Sequence, residues 1–458
     1  MNLIFFLIVI NLFKLLVARS FPLIGDEAYY WLWSRHLDLS YVDHPPMIAY
    51  LNFIITSLFG SNEFAIRLGA ILIMLLISWI IYLTGKELYN EKAGSFAAII
   101  FNLIPTYFGG GMFLVPQTVL FLFWSLSFYL LIKITRTGKS YYWYLLGISA
   151  GLGLLSDYVM GLFFIGTLIF LAVSKEHRFW LTKKEPYLGA LIGLIIFSPV
   201  LIWNLRLGFT PLFYWGGKMG MGPRIGDNLL NFFGLQMLLY TPPIFIMTIY
   251  LIFSKKIKEL PLKIYSAMVF LPFALISPVI NVGGHWPSVS YLPAILDSHR
   301  ARKITIGILL FFALLVNTAG FGYYLYFYPT PAELRGKEFT INAVLPQYLK
   351  SVTPKEGKTY YLGNDLGILG LVAFHGKVPV SMAPGRLKQV DLWGKLAMQK
   401  GDNAVYFAFN ETSLYDKLRP LFKEVKIEPE TRIFNKDADL PNKTTIFLCA
   451  GFQGGMIP

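Results

Sequence analysis

The sequence predicts an α-helical membrane protein of about eleven spans, residues 1–329, followed by a soluble α/β domain, residues 330–458. Three observations predict it. Of 458 residues, 55% are hydrophobic and only 14% are charged, whereas a soluble domain carries about 25% charged residues. Apolar segments near the roughly 20 residues that cross a bilayer recur as far as residue 326. Beyond Pro329 the pattern changes to short apolar runs among 17 Lys and Arg and 13 Asp and Glu.

Spans are expected near 1–18, 64–84, 94–109, 117–132, 142–155, 159–173, 187–203, 229–253, 264–281, 286–297 and 302–326. The first lacks the basic leader and small-residue cleavage site of a signal peptide, so it is read as a true span. Residues 45–60 run from Pro45-Pro46 to Gly60 and are apolar but short. They fit a re-entrant or interfacial helix. In 330–458, runs such as Thr359-Tyr360-Tyr361-Leu362 and Ala404-Val405-Tyr406-Phe407 alternate with candidate helices such as 391–399, the pattern of a small α/β domain. Cys449 is the single cysteine, which excludes an intrachain disulfide.

Charge predicts orientation. Of 23 Lys and Arg before residue 330, 16 fall in alternate loops within 86–92, 133–139, 175–184, 255–263 and 300–303. An excess of cations marks a cytoplasmic loop. The amino terminus is therefore expected inside, and eleven spans place the C-terminal domain outside the cytoplasmic (inner) membrane. The net charge of +14 then reflects those loops and anionic headgroups. No basic tract or nucleic-acid motif stands out, so nucleic acid is not an expected partner.

The acidic residues point to chemistry. Thirteen precede residue 330; six lie in the cationic loops and seven on the other side: Asp26, Glu27, Asp38, Asp43, Glu63, Asp157 and Asp227. Five of the seven fall within 26–63, the first outer loop. A carboxylate near hydrocarbon is costly, so such a cluster is a functional-site hypothesis. From Asp26 the loop suits a short helix with Asp26 as N-cap and aromatics at 29, 30, 31 and 33 at an interface. A second constellation, Asp43-His44, is followed by two prolines. Two carboxylate-bearing corners facing one another beside cations suit a transferase: one carboxylate accepts the proton of an attacking hydroxyl, and cations hold a phosphate leaving group. The plainer reading is that Asp26 only caps its helix and the aromatics only anchor it.

Asp26-Glu27-Ala28-Tyr29-Tyr30-Trp31-Leu32-Trp33, followed by Asp43-His44-Pro45-Pro46-Met47, resembles the first outer loop of bacterial GT-C glycosyltransferases. That group is related to the dolichyl-phosphate-mannose protein mannosyltransferases and the lipid A aminoarabinose transferases. Later segments agree: 63–68, Ser198-Pro199 with Trp203-Asn204, His285-Trp286-Pro287, and 389–393. The resemblance implies a GT-C fold and inverting transfer of a sugar from a polyprenyl-phosphate donor. The acceptor is an envelope lipid or glycan such as lipid A, or a protein. It implies Asp26 as general base with Glu27 and Asp43 completing the catalytic set. Gln117 and Asp157 depart from the family pattern, which often has Pro-Asp where this chain has Pro116-Gln117, and Ser-Lys-Tyr where it has Ser156-Asp157-Tyr158.

Around that core, Arg67, Arg19, Lys218 and Arg224 are candidate contacts to the donor phosphate. Arg67 is read either so or as half of an Arg67–Glu63 pair at helical spacing. His44, Tyr29, Tyr30, Asp157, Gln117, His285 and Trp286 are candidate substrate contacts. His44 suits a metal ligand, a phosphate contact or a fixed turn; no cofactor is required by the reading. Partners are the lipid-linked donor, the acceptor and membrane lipids. The competing function is a transporter or flippase of lipid-linked sugars, for which an internal repeat and mid-membrane ionisable groups are the signature.

Overall fold

The computed structural model describes residues 2–18, 23–209, 225–255, 259–327, 337–354, 356–382, 393, 397–409, 413–428 and 444–457. The chain divides into two compact units. Unit one comprises Met1–Ser20, Asp38–Leu51 and Phe64–Thr318; unit two comprises Phe21–Leu37, Asn52–Glu63 and Ala319–Pro458. This differs from the expected division at 329/330, because two pieces of the first loop group with the C-terminal part.

In chain order the first helices are α1 (Leu3–Ala18), α2 (Gly25–Trp33), α3 (Met47–Phe59), α4 (Glu63–Leu88), α5 (Glu91–Leu103), α6 (Pro105–Phe108) and α7 (Pro116–Thr137). There follow α8 (Tyr141–Leu154), α9 (Gly161–Val173), α10 (Glu185–Arg206), α11 (Ile225–Tyr240), α12 (Pro242–Phe253), α13 (Leu260–Ile276), α14 (Leu292–Asp297) and α15 (Lys303–Phe327). Among the described residues, α4, α7, α10 and α15 are long and apolar enough to cross a membrane. Two further candidates are broken by prolines: the chain bends 79° between α5 and Pro105–Met112, and 111° between α11 and α12.

One expected span is corrected. Residues 286–297 form a 3-10 turn, Ser288–Tyr291, and α14, which has six residues. Six residues rise only about 9 Å, far short of a bilayer core of about 30 Å. Their apolarity serves the interior of unit one: Ala294, Ile295 and Leu296 are fully buried.

Charged loops gather at one end of unit one. Lys133 pairs with Glu87 at 3.0 Å and Arg136 with Glu259 at 3.1 Å. Tyr89 donates to Asp297 at 2.7 Å, and Asp297 pairs with Arg300 at 3.3 Å. Four of the cation-rich loops are thereby joined. Because α4 has 26 residues and is about 39 Å long, its amino-terminal end around Arg67 lies at the opposite end of the unit.

Between the ends, α8 and α10 meet along glycines. A Cβ on Gly147 would lie 2.0 Å from the Gly189 carbonyl, and one on Gly151 would lie 2.9 Å from Gly193 Cα. Each helix thus presents two glycines four residues apart, the small-residue seam that lets membrane helices approach backbone to backbone.

In unit two, α16 (Lys337–Val352), α17 (Leu366–Gly376) and α18 (Leu414–Leu418) flank β1 (Thr359–Gly363), β2 (Val380–Met382), β3 (Asn403–Phe409), β4 (Phe422–Ile427) and β5 (Thr444–Phe452). The sheet order is β2-β1-β3-β5-β4. β2, β1 and β3 are parallel, and β5 runs antiparallel to β3 and β4. Alternation along the strands builds two cores. Tyr361, Val405, Phe407 and Ile446 pack with Leu345 and Leu349 of α16 and Ile368 and Val372 of α17. Leu362, Tyr406, Phe447 and Cys449 pack with Leu414 and Leu418 of α18.

Candidate functional site

In unit one the site is built on the loop from Asp38 to Met47. Asp38 is its anchor. Its Oδ2 accepts from Trp203 Nε1 at 3.0 Å, its Oδ1 accepts from the Leu39 amide at 2.7 Å, and its carbonyl accepts from the Tyr50 hydroxyl at 2.8 Å. The Tyr41 amide donates to the His44 carbonyl at 3.3 Å, which turns the chain, and the Met47 amide donates to the Leu155 carbonyl at 2.9 Å. Pro45 and Pro46 have no amide to donate, so the first donor after the turn is the one that ties the loop to the end of α8.

That tie brings His44 beside Asp157. His44 Nδ1 lies 3.6 Å from Asp157 Oδ2. The other oxygen of Asp157 accepts from the Val159 amide at 2.9 Å and caps the 3-10 turn Tyr158–Met160. Asp157 and Asp43 are each only 7% exposed. A protonated imidazole here gains an anionic neighbour held by its own backbone cap.

Arg67 is fully buried. Its Nη1 donates to the Ala18 carbonyl at 2.8 Å, and its guanidinium lies 5.0 Å over the Phe113 ring. It therefore closes the carboxyl end of α1, where a cation meets the negative end of the helix. Lys14 is equally buried and donates to Asn102 Oδ1 and the Tyr107 carbonyl, each at 3.1 Å. Gln117 is the second residue of α7. His285 is exposed, and Trp286 lies half-buried with its ring 6.0 Å from Phe273.

In unit two, α2 begins differently from expectation. Ile24 is the N-cap, not Asp26, and Glu27 reaches back so that its Oε2 accepts from the Ile24 amide at 3.2 Å. An acidic residue three positions into the helix satisfies an otherwise orphaned amide. Glu27 is fully buried, while Asp26 is exposed. The adjacent carboxylates thus separate into one buried that holds the helix and one exposed. Tyr29 and Tyr30, expected as substrate contacts, are 7% exposed each and pack edge-on against Trp33 at 4.9 and 5.2 Å. In this unit α2 lies against α17: a Cβ on Gly370 would stand 2.6 Å from the Ala28 carbonyl carbon.

Glu63 is 3.9 Å from His375 Nδ1 in unit two, and burial holds the His375 pKa below the ordinary imidazole value while Glu63 opposes that shift. Arg19, Lys218 and Arg224 lie outside the described residues, as does most of the 389–393 segment. Among the described residues no group of three or more His, Cys, Asp and Glu is placed to hold a metal ion.

Comparison with known proteins bears on this geometry. Residues 43–203 match the family model described as dolichyl-phosphate-mannose-protein mannosyltransferase. ArnT from Cupriavidus metallidurans, solved bound to undecaprenyl phosphate, overlays with a TM-score of 0.70 at 14% identity, covering 97% of each chain. The chain has the GT-C fold. Lipid A galacturonosyltransferase RgtD of Rhizobium johnstonii is 24% identical over 279 residues, 58% of this chain and 58% of that protein. The undecaprenyl phosphate-alpha-4-amino-4-deoxy-L-arabinose arabinosyl transferase of Erwinia tasmaniensis is 30% identical over 131 residues, 28% of this chain and 24% of that protein. The chain spans about half the length, or less, of these curated relatives.

The stretch matched by the family model begins at Asp43 and ends at Trp203. It therefore contains both members of the His44–Asp157 pair. Two features escaped the sequence reading. Asp38 was one acid among five in its loop, and nothing in spacing linked it to Trp203, 165 positions away. The pairing of His44 with Asp157 was equally invisible, although both residues stood out singly.

Proposed function

We propose that the protein is a glycosyltransferase of the cytoplasmic (inner) membrane. It moves a sugar from a polyprenyl-phosphate donor to an envelope acceptor, lipid A or another glycan or protein, on the outer face. The observation that carries the reading is that the family match over residues 43–203 falls on the buried Asp43 and Asp157 and the half-buried His44 between them. The overlay on ArnT, a protein solved with undecaprenyl phosphate, and the names of the curated relatives support the donor class.

The chemistry is a single displacement with inversion. The acceptor hydroxyl oxygen bonds to the anomeric carbon, and its proton passes to the Asp26 carboxylate. The bond from that carbon to the phosphate oxygen breaks, and the electron pair leaves with the polyprenyl phosphate. General-base assistance contributes about 100-fold to 10,000-fold in such steps, and its exposed position supports Asp26 in that role. Asp43 assists, while His44, oriented by Asp157, supplies positive charge near the leaving group when protonated. Arg67 remains a donor-phosphate candidate beside its contact with Ala18. Positive loops at the ion-paired end support an amino terminus inside and a C-terminal α/β domain outside.

The test is direct. Purified protein incubated with labelled undecaprenyl-phosphate sugars and envelope acceptors is expected to release undecaprenyl phosphate only when an acceptor is present. A folded preparation that releases none from any donor in the panel overturns the function.

A further inference from the structure

Unit two holds a groove that the transfer chemistry does not use. It has a volume of about 500 Å³ and is lined by Trp31, Leu32, Arg35 and His36 after the end of α2, and by Phe374 and Lys377 at the end of α17. Its floor is aromatic: the Trp31 and Phe374 rings meet edge to face at 5.0 Å.

Two cations border that floor, and both are unusually placed. Arg35 is held rather than free to swing. Its Nε and Nη2 donate to Ser34 Oγ at 3.1 and 3.0 Å, Nη2 also donates to Thr56 Oγ1 at 2.6 Å, and the guanidinium lies 5.5 Å over the Trp31 ring. Lys377 has φ of 53°, a left-handed conformation that glycine adopts without strain and lysine does not. It is the left-handed cap that ends α17, its amide donating to the Ala373 carbonyl at 3.1 Å, and a lysine there complements the helix dipole. Among the described residues, neither Arg35 nor Lys377 has a carboxylate within ion-pair distance.

The wall continues the pattern. The His36 ring stacks on Trp393 at 4.5 Å with the planes 14° apart. Burial lowers the His36 pKa, so near neutral pH the ring is uncharged. A preoriented guanidinium with a second cation suits a phosphate. The aromatic floor suits the apolar face of a ring.

We propose that this groove binds a phosphorylated saccharide, the phosphate at Arg35 and Lys377 and the sugar ring against Trp31 and Phe374. Within the proposed function it is the headgroup of the acceptor, and only that assignment rests on the transferase reading.

Binding is measured on the full-length protein in detergent by titration calorimetry, without donor present, using glucosamine 6-phosphate, glucosamine and inorganic phosphate. Glucosamine 6-phosphate is expected to bind about 10-fold more tightly than either part alone. Arg35→Ala and Lys377→Gly are each expected to weaken it about 10-fold, the loss of a charged hydrogen bond. Lys377→Gly relieves the backbone strain, so its folding is secure. Inorganic phosphate binding as tightly as the sugar phosphate, no binding by the parent, or parental affinity in both variants each overturns the proposal. A protein that binds the sugar phosphate yet transfers nothing keeps the groove and sinks the transferase reading alone.

Discussion

The two ends of unit one carry charge in opposite ways. At the end of the cation-rich loops the pairs are open to solvent: the side chains of Lys86 and Glu91 are 48% and 69% exposed, and those of Arg136 and Glu259 are 41% and 30% exposed. At the end that holds the Asp38–Met47 loop, Arg67 is fully buried and Asp43 and Asp157 are 7% exposed. Exposed pairs contribute about 0–1 kcal/mol and are replaceable. Buried charges lose several kcal/mol of hydration and persist only where neighbours satisfy them. The comparison teaches that the number of cations in a loop bears on the expected sidedness, whereas the burial of a few charges marks the place that the proposed chemistry uses.

The most absolute test of this contrast is sidedness. Cysteines introduced at Ser381 and Lys139 in a Cys449→Ser background are expected to label from opposite sides of the membrane with an impermeant maleimide. The background costs little reactivity, because burial pushes the Cys449 thiol up to about 12. Labelling of both positions from one side removes the topology.

Next in size is the base. Asp26→Asn is expected to lower turnover about 100-fold or more with the fold unchanged, since Glu27 and not Asp26 holds the start of α2. Near-parental turnover by the folded variant takes Asp26 out of the mechanism.

Arg67→Lys is expected to lower donor affinity and turnover about 10-fold, because lysine lacks the planar fork that grips phosphate. The measurement is donor binding together with rate. Parental values for both mean that Arg67 holds the end of α1 and its neighbours and does not grip the donor.

The smallest effect belongs to the open end. Lys133→Ala, which breaks the pair with Glu87, is expected to cost under about 1 kcal/mol and leave turnover unchanged. A large fall in thermal stability or rate means that the open pairs matter as much as the buried ones, and the contrast fails.

Much of this protein is legible without coordinates. The GT-C resemblance followed from the residues of one loop, because interfacial carboxylates among aromatics are rare enough to be informative. The apolar runs 359–362 and 404–407, read as strand-like, lie within the strands 359–363 and 403–409. Other features were misread for a physical reason: apolar residues at 286–297 face protein, and hydropathy cannot tell a protein interior from lipid. Asp26 looked like a cap because acids favour that position, but Glu27, one residue later, reaches the amide that needs a partner.

By itself, then, the sequence determined composition, the alternation of charge among loops, and the list of chemically capable side chains. Those are local quantities, set by each residue and its near neighbours. Only the tertiary structure decided which of those side chains meet. Asp157 reaches His44 across more than a hundred positions, Trp203 reaches Asp38 across 165, and the glycines of α8 and α10 bring two backbones together. Such pairings depend on how helices cross in three dimensions, and spacing along one chain carries no record of them.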